Sequence, residues 1–256
     1  MMDKSAVCRS FSKAAAQYDS LALFQRRINE HMLCLLPEHM PAGFRPVNIL
    51  DAGCGTGLGI QCLKTFWPDI RVIGCDLSPE MIDEAHRKQL DAVVGDIENL
   101  PFDTASFNLV WSSLSLQWCS PGQAFRELFR VMTPDGMLFF STLAPGTLRE
   151  VNQAFSGFDD ADHTLTFHSE ADLRKMLMET GFRDIRLELE THQVFYPDIR
   201  SAMASIRGIG AGNVRQRRTS LFGKQAWKTV QERYESFRQD AGLPVTYEVV
   251  IGSAFR

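Results

Sequence analysis

The chain has 256 residues, of which 45% are hydrophobic and 23% are charged, and its formal net charge is −4. This length suits one large domain, and the weak negative charge gives no support to general nucleic-acid binding. No apolar run reaches the ~18 residues of a membrane span, and the N-terminal stretch lacks the apolar segment of a secretory signal. The six cysteines include no C-x-x-C pair, which indicates reduced thiols in a cytoplasmic protein and argues against disulfides or a zinc site.

The predicted elements begin with two helices, at about residues 4–17 and 21–36. Strand-like and helical runs then alternate along the chain, which predicts an α/β fold with a mainly parallel sheet and helices on both faces. Two helix boundaries have clear signals. Ser78 followed by Pro79 predicts a helix start, and a second helix is expected to begin after Ser169 and to end at Gly181.

The sequence is interpreted as a single domain with four parts. Residues 1–40 form an N-terminal helical cap, and residues 45–197 form the core with most of the strands. Residues 198–243 are helical, basic and glycine-rich, which predicts an insertion that forms a lid over the open end of the sheet. Residues 244–256 are the last strand.

The stretch "NILDAGCGTGLG", residues 48–59, places glycines at alternate positions after an apolar strand: Gly53, Gly55, Gly57 and Gly59. Glycine permits positive φ and close approach of a ligand to the backbone, and α/β sheets bind ligands at such strand ends. The dinucleotide pattern G-x-G-x-x-G would need glycine where Leu58 or Ile60 stands, and no P-loop lysine follows. A tight turn with capping aspartates is the alternative.

The pattern D-x-G-x-G-x-G, with Asp76 at the next strand end and "GDIENLPF" beyond it, resembles the first motifs of class I S-adenosylmethionine-dependent methyltransferases. The resemblance implies a Rossmann-like, seven-stranded sheet, S-adenosylmethionine as cofactor, S-adenosylhomocysteine as product and no metal. It implies that the glycine turn lies under the methionine part, that Asp76 binds the ribose hydroxyls, and that Asp96 and Ile97 bind the adenine. The expected cofactor-binding residues are Asp51, Gly53, Gly55, Gly57, Asp76, Leu77, Asp96, Ile97 and Ser112.

Four longer stretches extend the resemblance over nearly the whole chain: "SFSKAAAQYDSLALFQRR", "WSSLSLQWC", "ELFRVMTPDGMLFFSTLAPGTLREV" and "SAMASIRGIGAGN". Together they are similar to the malonyl-acyl-carrier-protein O-methyltransferases of biotin synthesis, and "LQWC" and "SIRGIGAGN" are the more selective parts. The resemblance implies methylation of the free malonyl carboxylate on acyl carrier protein. That carboxylate is already ionised at neutral pH, so the reaction needs no general base.

The candidate catalytic residues are Tyr18, Arg207, Gln117 and Trp118. Arg207 could grip the carboxylate, although it could also be a surface arginine at a helix end. Tyr18 could close the pocket over the cofactor or be a packing residue. Gln117 and Trp118 follow the fourth strand, where the acceptor lies in this fold, and Trp118 could equally belong to the core.

The basic stretch with Arg215, Arg217 and Arg218 could dock an acidic acyl carrier protein, or it could be an ordinary solvated face. No nucleic-acid or membrane partner is expected. Two alternative functions remain open. One is methylation of a small molecule, such as a quinone precursor or a free dicarboxylate, and the other is non-catalytic cofactor binding.

Overall fold

A computed structural model describes residues 3–157, 167–208 and 223–256 of the chain. Its strands are β1 (Asn48–Ala52), β2 (Arg71–Asp76), β3 (Ala92–Val94), β4 (Phe107–Ser113), β5 (Met132–Leu143), β6 (Arg183–Tyr196) and β7 (Leu243–Phe255). Its α-helices are α1 (Lys4–Ala14), α2 (Tyr18–Leu21), α3 (Leu23–His39), α4 (Leu58–Phe66), α5 (Pro79–Arg87), α6 (Pro121–Val131), α7 (Arg149–Phe155), α8 (Glu170–Thr180), α9 (Ile199–Gly208) and α10 (Lys224–Glu235).

The seven strands form one sheet in the order β3-β2-β1-β4-β5-β7-β6. The pairs β1–β2, β1–β4, β2–β3 and β4–β5 are parallel. β7 pairs antiparallel with both of its neighbours, β5 and β6. The predicted α/β fold with a mainly parallel, seven-stranded sheet is therefore confirmed. The carboxyl ends of the parallel strands meet at one edge, where such sheets bind ligands.

Both faces of the sheet are covered, as the apolar strands predict. On β4, Leu109 and Trp111 face a core that includes residues of α3, α4, α5 and α10, whereas Val110 faces a second core shared with α6 and α8. Successive residues of a strand point to opposite faces, so this alternation divides the interior into two layers.

The predicted helix boundaries are also confirmed. Oγ of Ser78 accepts a hydrogen bond from the backbone N–H of Met81, and Pro79 occupies the first turn of α5. Ser169 forms a capping box with Asp172 at the start of α8, and Gly181 ends that helix in the left-handed conformation. Both helix starts thus satisfy backbone donors that would otherwise lack partners.

The segment between β6 and β7 contains helices α9 and α10, and residues 209–222 lie outside the described part of the chain. The division of the chain into cap, core, lid and last strand stays a prediction. Within the described ranges, no helix is both long and apolar enough to cross a membrane. All six cysteines are free thiols.

Candidate functional site

The glycine turn connects β1 to α4 and is folded against the end of β2. Gly53 has φ +81°, and a Cβ there would lie 2.2 Å from Oγ of Ser115, so this position requires glycine. The backbone N–H groups of Gly53 and Cys54 donate to the carbonyl oxygen of Cys75 over 2.7 and 3.1 Å. Gly55 has φ +52°, and a Cβ there would meet only the ring of Tyr18, at 3.9 Å. Gly55 therefore presents bare backbone to the space beneath that ring.

Asp76 stands at the end of β2 and holds the turn in place. Its Oδ2 accepts a hydrogen bond from the backbone N–H of Gly55 over 2.9 Å, and its Oδ1 accepts one from Ser78 over 2.9 Å. Burial raises the pKa of Asp76, while the backbone donors of Ser78, Gly55 and Leu77 act in the opposite direction. Each carboxylate oxygen can still accept a further hydrogen bond, so the site suits a ligand with hydroxyl donors or a positive charge.

Asp51, the acidic residue of the glycine motif, lies behind the turn. It is 2% exposed, and within the described chain its Oδ2 has no hydrogen-bond partner. Burial, and next the charge of Asp76, raise the pKa of Asp51 to about 7. A Cβ at Gly59 would lie 2.4 Å from this same Oδ2, so Gly59 lets α4 approach the carboxyl.

A cavity opens above the turn. Eight of the residues singled out from the sequence line it: Tyr18, Gly53, Gly55, Asp76, Leu77, Asp96, Ile97 and Trp118. The structure thus brings together predicted residues from α2, the glycine turn and the ends of β2, β3 and β4. The other lining residues are Lys4, Val7, Phe11, Met81, Gly95, Ser113, Leu114, Ser115 and Cys119.

Four of the predicted site residues are not among the described residues that line this cavity: Asp51, Gly57, Ser112 and Gln117. Ser112 is fully buried and its hydroxyl donates to the carbonyl oxygen of Ala52 over 2.8 Å, which ties β4 to β1. The amide nitrogen of Gln117 donates to the carbonyl oxygen of Leu114, and its amide oxygen accepts from Thr142 over 3.3 Å. Gly57 is the left-handed residue before α4. These contacts support the walls of the cavity from behind.

The N-terminal helix covers the cavity with aromatic rings. Phe11 of α1 packs edge-on against Trp118, with ring centroids 5.4 Å apart, and lies 6.2 Å from Tyr18. Sequence reasoning missed Phe11, although it stands inside the quoted stretch "SFSKAAAQYD". These rings lie over the half-buried carboxylates of the cavity, and charge interactions become stronger where water is partly excluded.

Lys4, also missed, reaches the cavity from the first turn of α1. Its Nζ lies 2.5 Å from Oδ2 of Asp96 and 3.0 Å from Oε2 of Glu98. The other oxygen of Asp96 accepts from the backbone N–H of Glu98 over 2.9 Å. A lysine at a helix start carries no sequence signal of this role, because its partner is 92 residues away.

The arginines predicted to bind the substrate or its carrier lie partly or wholly outside the described structure. Arg207 belongs to the last turn of α9, but its side chain lies outside what the structure describes. Arg215, Arg217 and Arg218 fall in residues 209–222, outside the described chain.

Comparison with known proteins decides the family. Residues 50–140 match the methyltransferase domain. The chain is 43% identical to a malonyl-[acyl-carrier protein] O-methyltransferase of Herminiimonas arsenicoxydans, over 99% of this chain and 96% of the relative. The chain belongs to the malonyl-[acyl-carrier protein] O-methyltransferase family. It is an S-adenosylmethionine-dependent methyltransferase by fold and family.

One further relative and one solved structure are also similar to this chain. A biotin biosynthesis bifunctional protein of Cellvibrio japonicus is 34% identical over 97% of this chain and 49% of its own length. Among solved structures, a Thermotoga maritima methyltransferase described as a possible histamine N-methyltransferase is 17% identical. It superposes with a TM-score of 0.58 over 96% of this chain and 98% of its own, and at this identity the likeness concerns the fold alone.

Proposed function

We propose that the cavity binds S-adenosylmethionine. The fit rests on three observations: bare backbone at Gly55, a carboxylate with spare acceptor capacity at Asp76, and a second carboxylate beside an apolar side chain at Asp96 and Ile97. Asp76 is assigned to the ribose hydroxyls and Gly55 to the methionine part. Asp96 is assigned to the adenine amine and Ile97, which is 7% exposed, to the adenine ring.

Lys4 affects how the adenine end is recognised. In the structure its ammonium already occupies Oδ2 of Asp96, so the adenine amine must share that carboxylate with it or replace it. Burial lowers the pKa of Lys4, but its hydrogen bonds to Asp96 and Glu98 outweigh this effect and raise it overall. Lys4 therefore stays charged, and its ion pairs with Asp96 and Glu98 hold α1 over the cavity.

When bound, the cofactor supplies an electrophilic methyl group on a sulfonium. The residues of this chain orient the two reactants and exclude water from them. They do not need to transfer a proton, because a carboxylate acceptor is ionised before it binds. Tyr18, Phe11 and Trp118 exclude water, and a dry site favours the meeting of an anion with a cation. Burial, and next the charges of Asp76 and Asp19, raise the pKa of Tyr18, so its phenol stays protonated.

The proposed reaction is methylation of the free carboxylate of a malonyl group on acyl carrier protein, at the start of biotin synthesis. The observation that carries this proposal is the 43% identity to a malonyl-[acyl-carrier protein] O-methyltransferase across 99% of the chain. A chain that retains both the Asp76 site and the glycine turn is expected to be catalytic. The quinone-precursor and non-catalytic alternatives are not favoured.

Arg207 is proposed to hold the malonyl carboxylate. A guanidinium matches a carboxylate in a bidentate pair, and α9 leads into the segment expected to cover the sheet. Replacing Arg207 with Met keeps much of the volume and removes the charge. The activation free energy should rise by about 3–5 kcal/mol, as when one partner of a buried ion pair is removed, so the catalytic efficiency should fall. The affinity for the cofactor should stay unchanged. Near-normal transfer would remove Arg207 from the site.

Arg215, Arg217 and Arg218 are proposed to dock the acidic carrier protein. Reversal of the three charges to glutamate should raise the Michaelis constant for malonyl-carrier protein and leave malonyl-coenzyme A, if it is accepted, much less affected. Added salt should reduce the difference, because exposed charges are screened beyond about 8–10 Å. Equal losses on both substrates would contradict a docking role.

A panel of acceptors tests the function. Labelled S-adenosylmethionine is offered with malonyl-carrier protein, malonyl-coenzyme A, free malonate or a quinone precursor. Transfer to malonyl-carrier protein should be the most efficient. Preferred transfer to the quinone precursor or to free malonate would replace the proposal with the small-molecule alternative.

A further inference from the structure

A cluster of three potential metal ligands lies where the N-terminal helices meet the edge of the sheet. Nε2 of His31 is 3.0 Å from Oε1 and 2.9 Å from Oε2 of Glu190. Nε2 of His192 is 2.8 Å from the same Oε2. The ligating atoms of all three residues lie within 4.8 Å of one another. Two imidazole nitrogens and a carboxylate thus point at one small volume.

The backbone fixes two of these residues on one face. Glu190 and His192 are two positions apart on β6, so their side chains leave the strand on the same side. Their partners on β7 are Val249 and Tyr247, and this long antiparallel pairing keeps the strand from shifting. His31 comes from α3, which packs against the sheet. The site therefore joins an edge strand to a helix that is remote in sequence.

An aromatic support positions one imidazole ring. Phe24 lies edge-on to His192 with ring centroids 6.2 Å apart, and it stacks on Tyr247 at 3.9 Å. His192 is 12% exposed, Glu190 26% and His31 37%. The cluster is thus ordered on its inner side and open to solvent on its outer side, which lets an ion enter and leaves room for a water ligand.

We propose that His31, Glu190 and His192 form a binding site for a divalent transition-metal ion, with Zn²⁺ as the best match. Zinc accepts histidine nitrogen and carboxylate oxygen, and three protein ligands leave its fourth position to water. Two nitrogen ligands disfavour Ca²⁺ and Mg²⁺, which require oxygen. On binding, each imidazole presents the Nε2 lone pair to the metal and carries its proton on Nδ1.

The site is separate from the methyl-transfer cavity, since none of its residues is among the described lining residues. A bound metal ion would link α3 to β6 and stabilise their packing. A ligand that binds only the folded protein stabilises it by mass action, so zinc should raise the melting temperature without entering the methyl-transfer step. No sequence motif marks this site, because His31 is 159 residues from Glu190.

The test uses the full chain after a chelator has removed bound metal. Zn²⁺ is then added, its binding is measured by calorimetry, and the melting temperature is measured with and without it. Glutamine at His31 or His192 keeps a hydrogen-bond donor for Glu190 and removes the imidazole ligand. His168→Gln, two residues before the start of α8, is the matched control. Cys34→Ser is a second control, because Cys34 is an exposed thiol three residues from His31.

One zinc per chain should bind to the wild type and to both controls, and it should raise their melting temperatures. His31→Gln and His192→Gln should weaken this binding by at least about 10-fold, because even indirect supports of a metal site are worth that much. The proposal is overturned if the wild type binds no zinc, if both glutamine variants bind it equally well, or if only Cys34→Ser loses it.

Discussion

Oδ2 of Asp76, at the end of β2, accepts a hydrogen bond from the backbone N–H of Gly55, at the centre of the glycine turn, over 2.9 Å. One carboxylate thus holds the backbone of the turn and faces the cavity that the turn helps to form. The two halves of the proposed cofactor site are therefore coupled. A change in Asp76 acts on a ligand directly and also through the position of Gly55.

Asp76→Ala should abolish or strongly weaken S-adenosylmethionine binding. Each hydrogen bond to a charged group is worth roughly 1.5–3 kcal/mol, so the affinity should fall by one to several factors of ten. Calorimetric titration with the cofactor measures this loss. Asp69→Ala, an exposed aspartate before β2, is the control. Unchanged affinity in a folded Asp76 variant would remove this residue from the cofactor site.

Gly55→Val should strongly reduce the affinity for the cofactor and only modestly reduce the stability of the fold. Its side chain would point into the cavity, where the bare backbone now meets only the ring of Tyr18. Gly43 is the matched control, because it also has positive φ, +81°, and a Cβ there would meet nothing within 4 Å. Both valine variants should lose some stability to backbone strain, but only Gly55→Val should lose the cofactor. Equal affinities in the two variants would contradict this placement of the methionine part.

Tyr18→Phe should bind the cofactor within about 3-fold of the wild type, whereas Tyr18→Leu should lose up to about 10-fold, the worth of an aromatic contact. The reason is that the described contacts of Tyr18 with Gly55 and Phe11 are made by the ring. Equilibrium binding on both variants separates the ring from the hydroxyl. If Phe loses as much as Leu, the hydroxyl itself contacts the ligand.

The sequence predicted the parts of this site that are local. Strand ends and glycine spacing marked Asp76 and the turn, and the resemblance to class I methyltransferases implied their roles. Ser78 and Ser169 cap helices where their patterns indicate. Lys4 was missed because its partner Asp96 is brought to it only by the packing of α1 across the strand ends. Contacts between residues so distant in sequence depend on how the elements pack, which a local pattern does not record.

Asp51 illustrates a different limit. Its place in the glycine motif predicts a cofactor role, which stays a prediction, and the structure shows that its side chain is almost fully buried. Strand alternation decides the side to which a residue points, and the motif alone does not give that direction. The raised pKa of Asp51 follows from this burial and could not be read from spacing.

Asp51 should make stability depend on pH in the acid range. Its pKa is about 7 in the folded protein and 3.8 ordinarily, so between these values the folded state binds more protons than the unfolded state. Stability from this group is therefore present below its unfolded pKa and is lost as pH rises toward 7. At about 1.4 kcal/mol per pKa unit, the loss should be a few kcal/mol.

Urea unfolding at about pH 5 and about pH 8 measures this effect in the wild type and in Asp51→Asn, which cannot ionise. The asparagine variant should lose less stability over that interval than the wild type. The same pH dependence in both proteins would show that Asp51 is ionised at low pH in the folded state. Asp91→Asn, an exposed residue before β3, should behave as the wild type.

The most direct measurement of the central claim is the mass of the carrier protein after reaction. Malonyl-carrier protein and acetyl-carrier protein are each incubated with the enzyme and S-adenosylmethionine, and the intact products are weighed by mass spectrometry. The malonyl form should gain the mass of one CH₂ group, and the acetyl form, which lacks a free carboxylate, should be unchanged. A malonyl form that gains no mass, or an equal gain on the acetyl form, would contradict methylation of the malonyl carboxylate.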